Sequence, residues 1–82
     1  MPVLPSTVEV SRTIGKLCVA GDWACAHGDY RELRFIVLQL AEYTAEPLHC
    51  QLAQLAILCK TDPRRAAARW SELKDRIYRE AR

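Results

Sequence analysis

The chain has 82 residues, enough for one domain, and half of them are hydrophobic. A chain of this size buries only about 60% of its unfolded surface. Because its apolar content is high for that size, we expect close-packed helices that complete their core against a partner. The formal net charge of +2 is too small to indicate nucleic-acid binding by itself. No apolar run approaches the roughly 18 residues that a membrane span requires, so we expect no membrane insertion.

The N-terminal residues, MPVLPSTVEV, lack the basic start and long apolar centre of a signal peptide, and a cytoplasmic location is expected. Two disulfides would be conceivable in a secreted protein. Without a signal peptide, the cysteines are expected to be free, buried thiols. They are Cys18, Cys25, Cys50 and Cys59.

The first predicted helix begins at the sequence Ser6-Thr7-Val8-Glu9, a capping box in which Ser6 and Glu9 satisfy each other's free backbone N–H groups. Its apolar stripe keeps helical spacing through Gly21, which is therefore predicted to lie inside the helix. Gly costs about 1 kcal/mol there relative to Ala, so we expect Gly21 to be a notch that a neighbouring helix approaches closely. The stripe consists of Val10, Ile14, Leu17, Cys18, Gly21, Ala24 and Cys25.

The next Gly-Asp pair, Gly28-Asp29, is predicted to be a turn. Gly suits the left-handed residue that closes a helix, Asp29 can cap the next one, and Glu32 would complete a second capping box. The second helix is predicted from about Tyr30 to Thr44. Its core face is Leu33, Ile36, Val37, Leu40 and Ala41.

The third helix is predicted from Pro47 to about Cys59, with Pro in the first turn and apolar residues almost all round, as in a central helix. The fourth begins at Asp62-Pro63, and its predicted buried residues are Ala66, Ala67, Trp70, Leu73, Ile77 and Tyr78. The prediction is an all-α fold of four helices in two antiparallel hairpins. Residues 1–5 are predicted to form a tail, and residues 6–82 are predicted to form a single helical domain.

A shift of 34 residues places Ile14 on Leu48 and Cys25 on Cys59, so the helix starts and turns coincide. With Ala20-Gly21 at a close-packing position and Gly28-Asp29-Tyr30 at the turn, the chain resembles the tetratricopeptide-repeat family, mainly in its first hairpin. The resemblance implies a scaffold that holds peptides or helices of other proteins without catalysis. Small cytoplasmic chaperones of bacterial secretion systems are similar in size and hairpin organisation.

The sequence departs from that family's pattern at three positions. Leu17 stands where the family usually has Trp, Leu33 stands where it has Ala, and Pro47 comes two residues late. An ordinary helical bundle with coincidental spacing is the alternative, and it predicts the same fold class.

The candidate metal ligands are Cys18, Cys25, His27, His49 and Cys50. They lack the short chelating Cys pair that is typical of zinc sites. The alternative is buried thiols with histidines at helix ends, and we expect no cofactor. Since the chain also lacks a glycine-rich phosphate loop and a suggestive carboxylate pair, we expect no enzymatic activity. Asp22 is predicted to be solvated and Asp29 to be a cap.

Apolar residues outside the main core faces are the candidate partner-binding residues: Val19, Trp23, Phe35, Leu38 and Tyr43. They predict an exposed patch for a partner protein or a second copy of the chain, as in an adaptor, assembly factor or chaperone. The alternative is that the packing simply uses both faces of each helix.

A second hypothesis is a small basic regulator that contacts nucleic acid through the fourth helix. The face concerned consists of Arg65, Arg69, Arg76 and Arg79. Glu72 interrupts it, and alternating charges of this kind are also typical of a solvated helix.

Overall fold

The computed structural model describes residues 7–80, with side chains from residue 9 onward, and this part of the chain is all-α as predicted. Its helices are α1 (Thr7–Ala26), α2 (Tyr30–Glu42), α3 (Leu48–Thr61) and α4 (Pro63–Glu80). Ser6 lies outside the described residues, and so does the predicted capping box of which it is part. None of the helices in this range has the length and apolarity needed to cross a bilayer.

The turn between α1 and α2 is built on Gly28, whose φ of 68° lies in the left-handed region. The Gly28 N–H donates to the Cys25 carbonyl at 3.2 Å, and the Asp29 N–H donates to the Ala24 carbonyl at 2.8 Å. This is the pair of bonds that closes a helix in the Schellman motif. The chain therefore turns at the second Gly-Asp pair and runs straight through the first, as predicted.

Asp29 caps α2, since its Oδ1 accepts the Glu32 N–H at 3.2 Å. Only this half of the predicted capping box is formed, because the Asp29 N–H is donated to α1 instead of to Glu32. At its other end α2 stops at Glu42, two residues before the predicted Thr44.

The second hairpin has almost no loop. Asp62 alone separates α3 from α4: its N–H donates to the Leu58 carbonyl at 2.8 Å, and its Oδ1 accepts the Arg65 N–H at 3.3 Å. One residue thus closes α3 and caps α4. The third helix begins at Leu48, one residue later than predicted, so Pro47 lies at its N-cap instead of in its first turn.

Consecutive helices pack against each other, α1 on α2, α2 on α3 and α3 on α4. The core face predicted for α2 is buried in full. Ala67 of α4, predicted to be buried, is only partly buried. Two further expectations were wrong. Ile57 of α3 is 63% exposed, so α3 is not covered all round, and Tyr78 of α4 is 44% exposed instead of buried.

Candidate interaction site

Gly21 is buried inside α1, and the notch that it leaves is filled by the indole of Trp70 from α4. A Cβ placed on Gly21 would lie 2.7 Å from Cη2 of Trp70 and closer still to Cζ2. The predicted close approach is therefore present, but a side chain makes it instead of a helix backbone. Since Trp70 is only 2% exposed, this contact fixes α4 against α1.

Asp22, next to the notch, joins α1 to α4 by hydrogen bonds. One carboxylate oxygen accepts both the Trp70 Nε1–H and the Lys74 ammonium at 2.9 Å, and the other accepts Lys74 at 3.1 Å. Asp22 is exposed, as expected of a solvated residue, but the expectation did not include these bonds to α4. Partial burial by itself would raise the pKa of Asp22, but the bonds from Lys74 and Trp70 outweigh it and hold the pKa below its usual value.

The contacts of Gly21 and Asp22 with Trp70 and Lys74 are here called the α1–α4 seam. Tyr78 extends this seam by one helical turn and interacts with Cys18 of α1. Burial raises the pKa of the Cys18 thiol, although the Tyr78 hydroxyl acts in the opposite direction. The Cys18 thiol therefore ionises less readily than an exposed cysteine.

Beside this seam, α1 and Tyr78 of α4 form an open groove of about 680 Å³, here called the α1–α4 groove. Its lining is apolar apart from two basic side chains at one end. The lining residues are Arg12, Gly15, Lys16, Val19, Ala20, Trp23 and Tyr78.

Trp23 is the largest side chain that α1 contributes to this groove, and it is 54% exposed. Its ring stacks on His27, with centroids 4.0 Å apart and planes inclined by 20°. His27 is fixed in turn, because its Nδ1–H donates to the Trp23 carbonyl at 2.8 Å. One face of the indole is thus supported by the turn that follows α1, and an ordered apolar surface remains exposed to solvent.

The predicted partner-binding residues are all exposed, but they do not form one patch. Val19 and Trp23 line the α1–α4 groove. Leu38 lines a second groove of about 290 Å³ between α2 and α3, and Tyr43 lines a smaller depression of about 190 Å³ near the end of α2. Phe35, 52% exposed, lies on the outer face of α2 and lines none of these three depressions.

Sequence reasoning missed Tyr78, which was assigned to the core, and the basic end of the groove. The basic end of the groove could have been found from the spacing of residues on α1. Arg12, Lys16, Val19 and Trp23 follow one another at intervals of four, three and four residues, the spacing of a single helix face.

The arginine face of α4 is largely engaged within the protein. Arg69 pairs with Glu72 at 2.7 Å, Arg65 lies 4.0 Å from Asp62, and Arg76 contacts Gln51 of α3 and lies 4.0 Å from Glu80. Arg79 completes the predicted face at the exposed end of the helix. Most of these guanidinium groups would have to exchange an existing partner for phosphate.

The candidate metal ligands do not converge: within residues 7–80, no group of three or more His, Cys, Asp or Glu side chains is placed to hold a metal ion. All four thiols are free. Cys18 and Cys59 are buried and Cys25 is partly buried, whereas Cys50 is exposed, contrary to expectation. His49 instead joins the ends of the second helix and the third, with its Nδ1–H donated to the Ala41 carbonyl at 2.6 Å.

No family model matches the chain, and no curated protein or solved structure is significantly similar to it.

Proposed function

We propose that the protein is a small, non-enzymatic protein–protein interaction module of the cytoplasm, an adaptor, assembly factor or secretion-type chaperone. It works by burying an apolar surface against a partner protein or against itself. The observation that carries the proposal is the α1–α4 groove, where the exposed Val19, Trp23 and Tyr78 line an open apolar surface.

The arrangement of the groove supports binding in three ways. Trp is enriched among the energetic anchors of protein interfaces, and Trp23 is already ordered by its stack on His27. The wall supplied by Tyr78 stands on a seam that Gly21, Asp22 and Trp70 hold together. A surface that is already ordered loses little conformational entropy on binding.

The test is a comparison of Trp23→Ala with Phe35→Ala. Both remove an aromatic side chain that is about half exposed, but only Trp23 belongs to the groove. Native mass spectrometry reports self-association, and affinity capture followed by quantitative mass spectrometry reports other partners. We expect Trp23→Ala to weaken association by about 30-fold, the effect of losing about 2 kcal/mol at an anchor, and Phe35→Ala to leave it within about threefold.

Circular dichroism checks that both variants keep the wild-type helix content. Association that survives Trp23→Ala unchanged in a folded protein would refute the proposed role of the groove. A Trp23→Ala variant that unfolds would show instead that this side chain is part of the core.

Nucleic-acid binding through α4 remains the second hypothesis, and salt dependence separates the two. An apolar interface at Trp23 should tolerate salt, whereas phosphate contacts at Arg65 and Arg69 should weaken steeply between 50 and 200 mM salt. Under the second hypothesis Arg65→Glu with Arg69→Glu would abolish binding and Trp23→Ala would not.

A further inference from the structure

We infer that the occupant of the α1–α4 groove is an acidic amphipathic helix from another protein, an inference that rests on the proposed function. The charged side chains that line the groove are both basic, Arg12 and Lys16, and both are exposed. Neither takes part in an ion pair with the described residues. A partner with carboxylates at this end and apolar residues at the other would pair with both basic side chains and cover the apolar ones.

The layout of the groove defines the partner segment further. From Arg12 to Trp23, α1 offers a face about 16 Å long, which matches about three turns of a partner helix. The basic residues occupy one end, whereas Trp23 and Val19 occupy the other. The partner therefore needs two or three apolar residues at i, i+3 or i+4 and i+7 spacing, with Asp or Glu about two turns away.

The same surface disfavours the other occupants. A second copy meeting this groove about a twofold axis brings the same lining residues, which include two basic side chains and no carboxylate. An anionic membrane would satisfy the charges, but the basic clusters that bind such membranes hold about four to eight Lys or Arg residues, and this groove has only Arg12 and Lys16. A helix with a ridge of apolar side chains can pack along an open groove of this kind.

The test uses two helix-stapled synthetic peptides of 15 residues with identical apolar positions. One carries Glu and the other carries Lys at the positions that would face Arg12 and Lys16. Fluorescence anisotropy gives each Kd for the full chain at 50 and 300 mM NaCl. We expect wild type to bind the Glu peptide at least tenfold more tightly than the Lys peptide at 50 mM, with a smaller ratio at 300 mM.

Two matched charge-reversal variants assign that preference to a surface. Arg12→Glu with Lys16→Glu should reverse it. Arg34→Glu with Lys60→Glu makes the same charge change in the groove between α2 and α3 and should leave it as in wild type. Arg12→Gln with Lys16→Gln should bind both peptides within about threefold of each other, which supplies a second reading if the reversal impairs folding.

Four results would overturn the inference. Equal wild-type affinity for the two peptides would do so while leaving an apolar docking groove, and hence the proposed function, intact. A preference that follows Arg34 and Lys60 would place the site elsewhere. Self-association lost in Trp23→Ala would identify a second copy as the occupant. Binding to phosphatidylserine vesicles that depends on Arg12 and Lys16, with neither peptide bound, would identify a lipid surface.

Discussion

Adding one methyl group to α1 should have opposite effects at its two glycines. Ala is favoured over Gly in a helix by about 1 kcal/mol, and a Cβ on Gly15 would have nothing within 4 Å. Gly15→Ala should therefore raise the free energy of unfolding by about 0.5–1 kcal/mol. Gly21→Ala gains the same helix propensity, but its Cβ would lie 2.7 Å from Cη2 of Trp70.

The collision at Gly21 is expected to outweigh the gain in propensity. Trp70 is 2% exposed, and its Nε1–H donates to Asp22 at 2.9 Å, so the ring cannot move away without weakening a hydrogen bond to a carboxylate. Overpacking of this kind costs about 1–3 kcal/mol. Set against the gain of about 1 kcal/mol, this gives an expected net loss of up to about 2 kcal/mol for Gly21→Ala.

Urea unfolding followed by circular dichroism at 222 nm measures both variants, and Trp70→Phe supplies the decisive background. Phe has no atoms equivalent to Cζ2 and Cη2 of Trp, so Gly21→Ala should cost much less in Trp70→Phe than in wild type. A Gly21→Ala protein at least as stable as wild type would refute the reasoning. An equal cost in both backgrounds would show that the loss does not come from the indole.

Three further predictions concern the turn, the seam and the thiols. Gly28→Ala should lower the free energy of unfolding by about 1 kcal/mol in the same urea assay, because a φ of 68° is unfavourable for a residue with a Cβ. The pKa of Asp22 is lower in the folded protein than in the unfolded chain, so its stabilisation is present above the ordinary value of about 3.9 and is lost as the pH falls through the folded pKa. Thermal melts between pH 2 and 6 should therefore show a steeper acid loss in wild type than in Asp22→Asn, and equal slopes would contradict the assignment. Ellman's reagent should modify Cys50 in the native protein, whereas Cys18 and Cys59 should react only after unfolding, and fast native reaction of the buried pair would contradict their burial.

The helices and the main core face could be predicted because they depend on local signals. The spacing of Leu33, Ile36, Val37 and Leu40 places them on one side of a helix whatever that helix packs against. The turn at Gly28 follows from the residues that it contains. Local rules of this kind need no knowledge of the tertiary arrangement.

The α1–α4 seam could not be predicted in the same way. Asp22 and Trp70 are 48 residues apart, and no local pattern says that the carboxylate of one meets the indole of the other. Tyr78 was misplaced for a related reason. It adjoins Ile77 in sequence but projects about 100° away around the helix, towards α1, and only the position of α1 decides whether that direction is interior or groove.

The two tryptophans show how the fold separates stability from binding. Trp70 lies on the core side of α4, where a glycine supplies the space and a carboxylate accepts its N–H, so its surface contributes to folding. Trp23 lies in the α1–α4 groove, and its support comes from His27 in the turn that follows α1. Changes at Gly21 and Trp70 should therefore alter the free energy of unfolding, and changes at Trp23 should alter the affinity for a partner. The contacts of Trp70 fix α4 against α1, and the groove that Trp23 lines has Tyr78 of α4 as its wall. A destabilised seam should therefore also weaken binding, whereas loss of Trp23 should leave the seam unchanged.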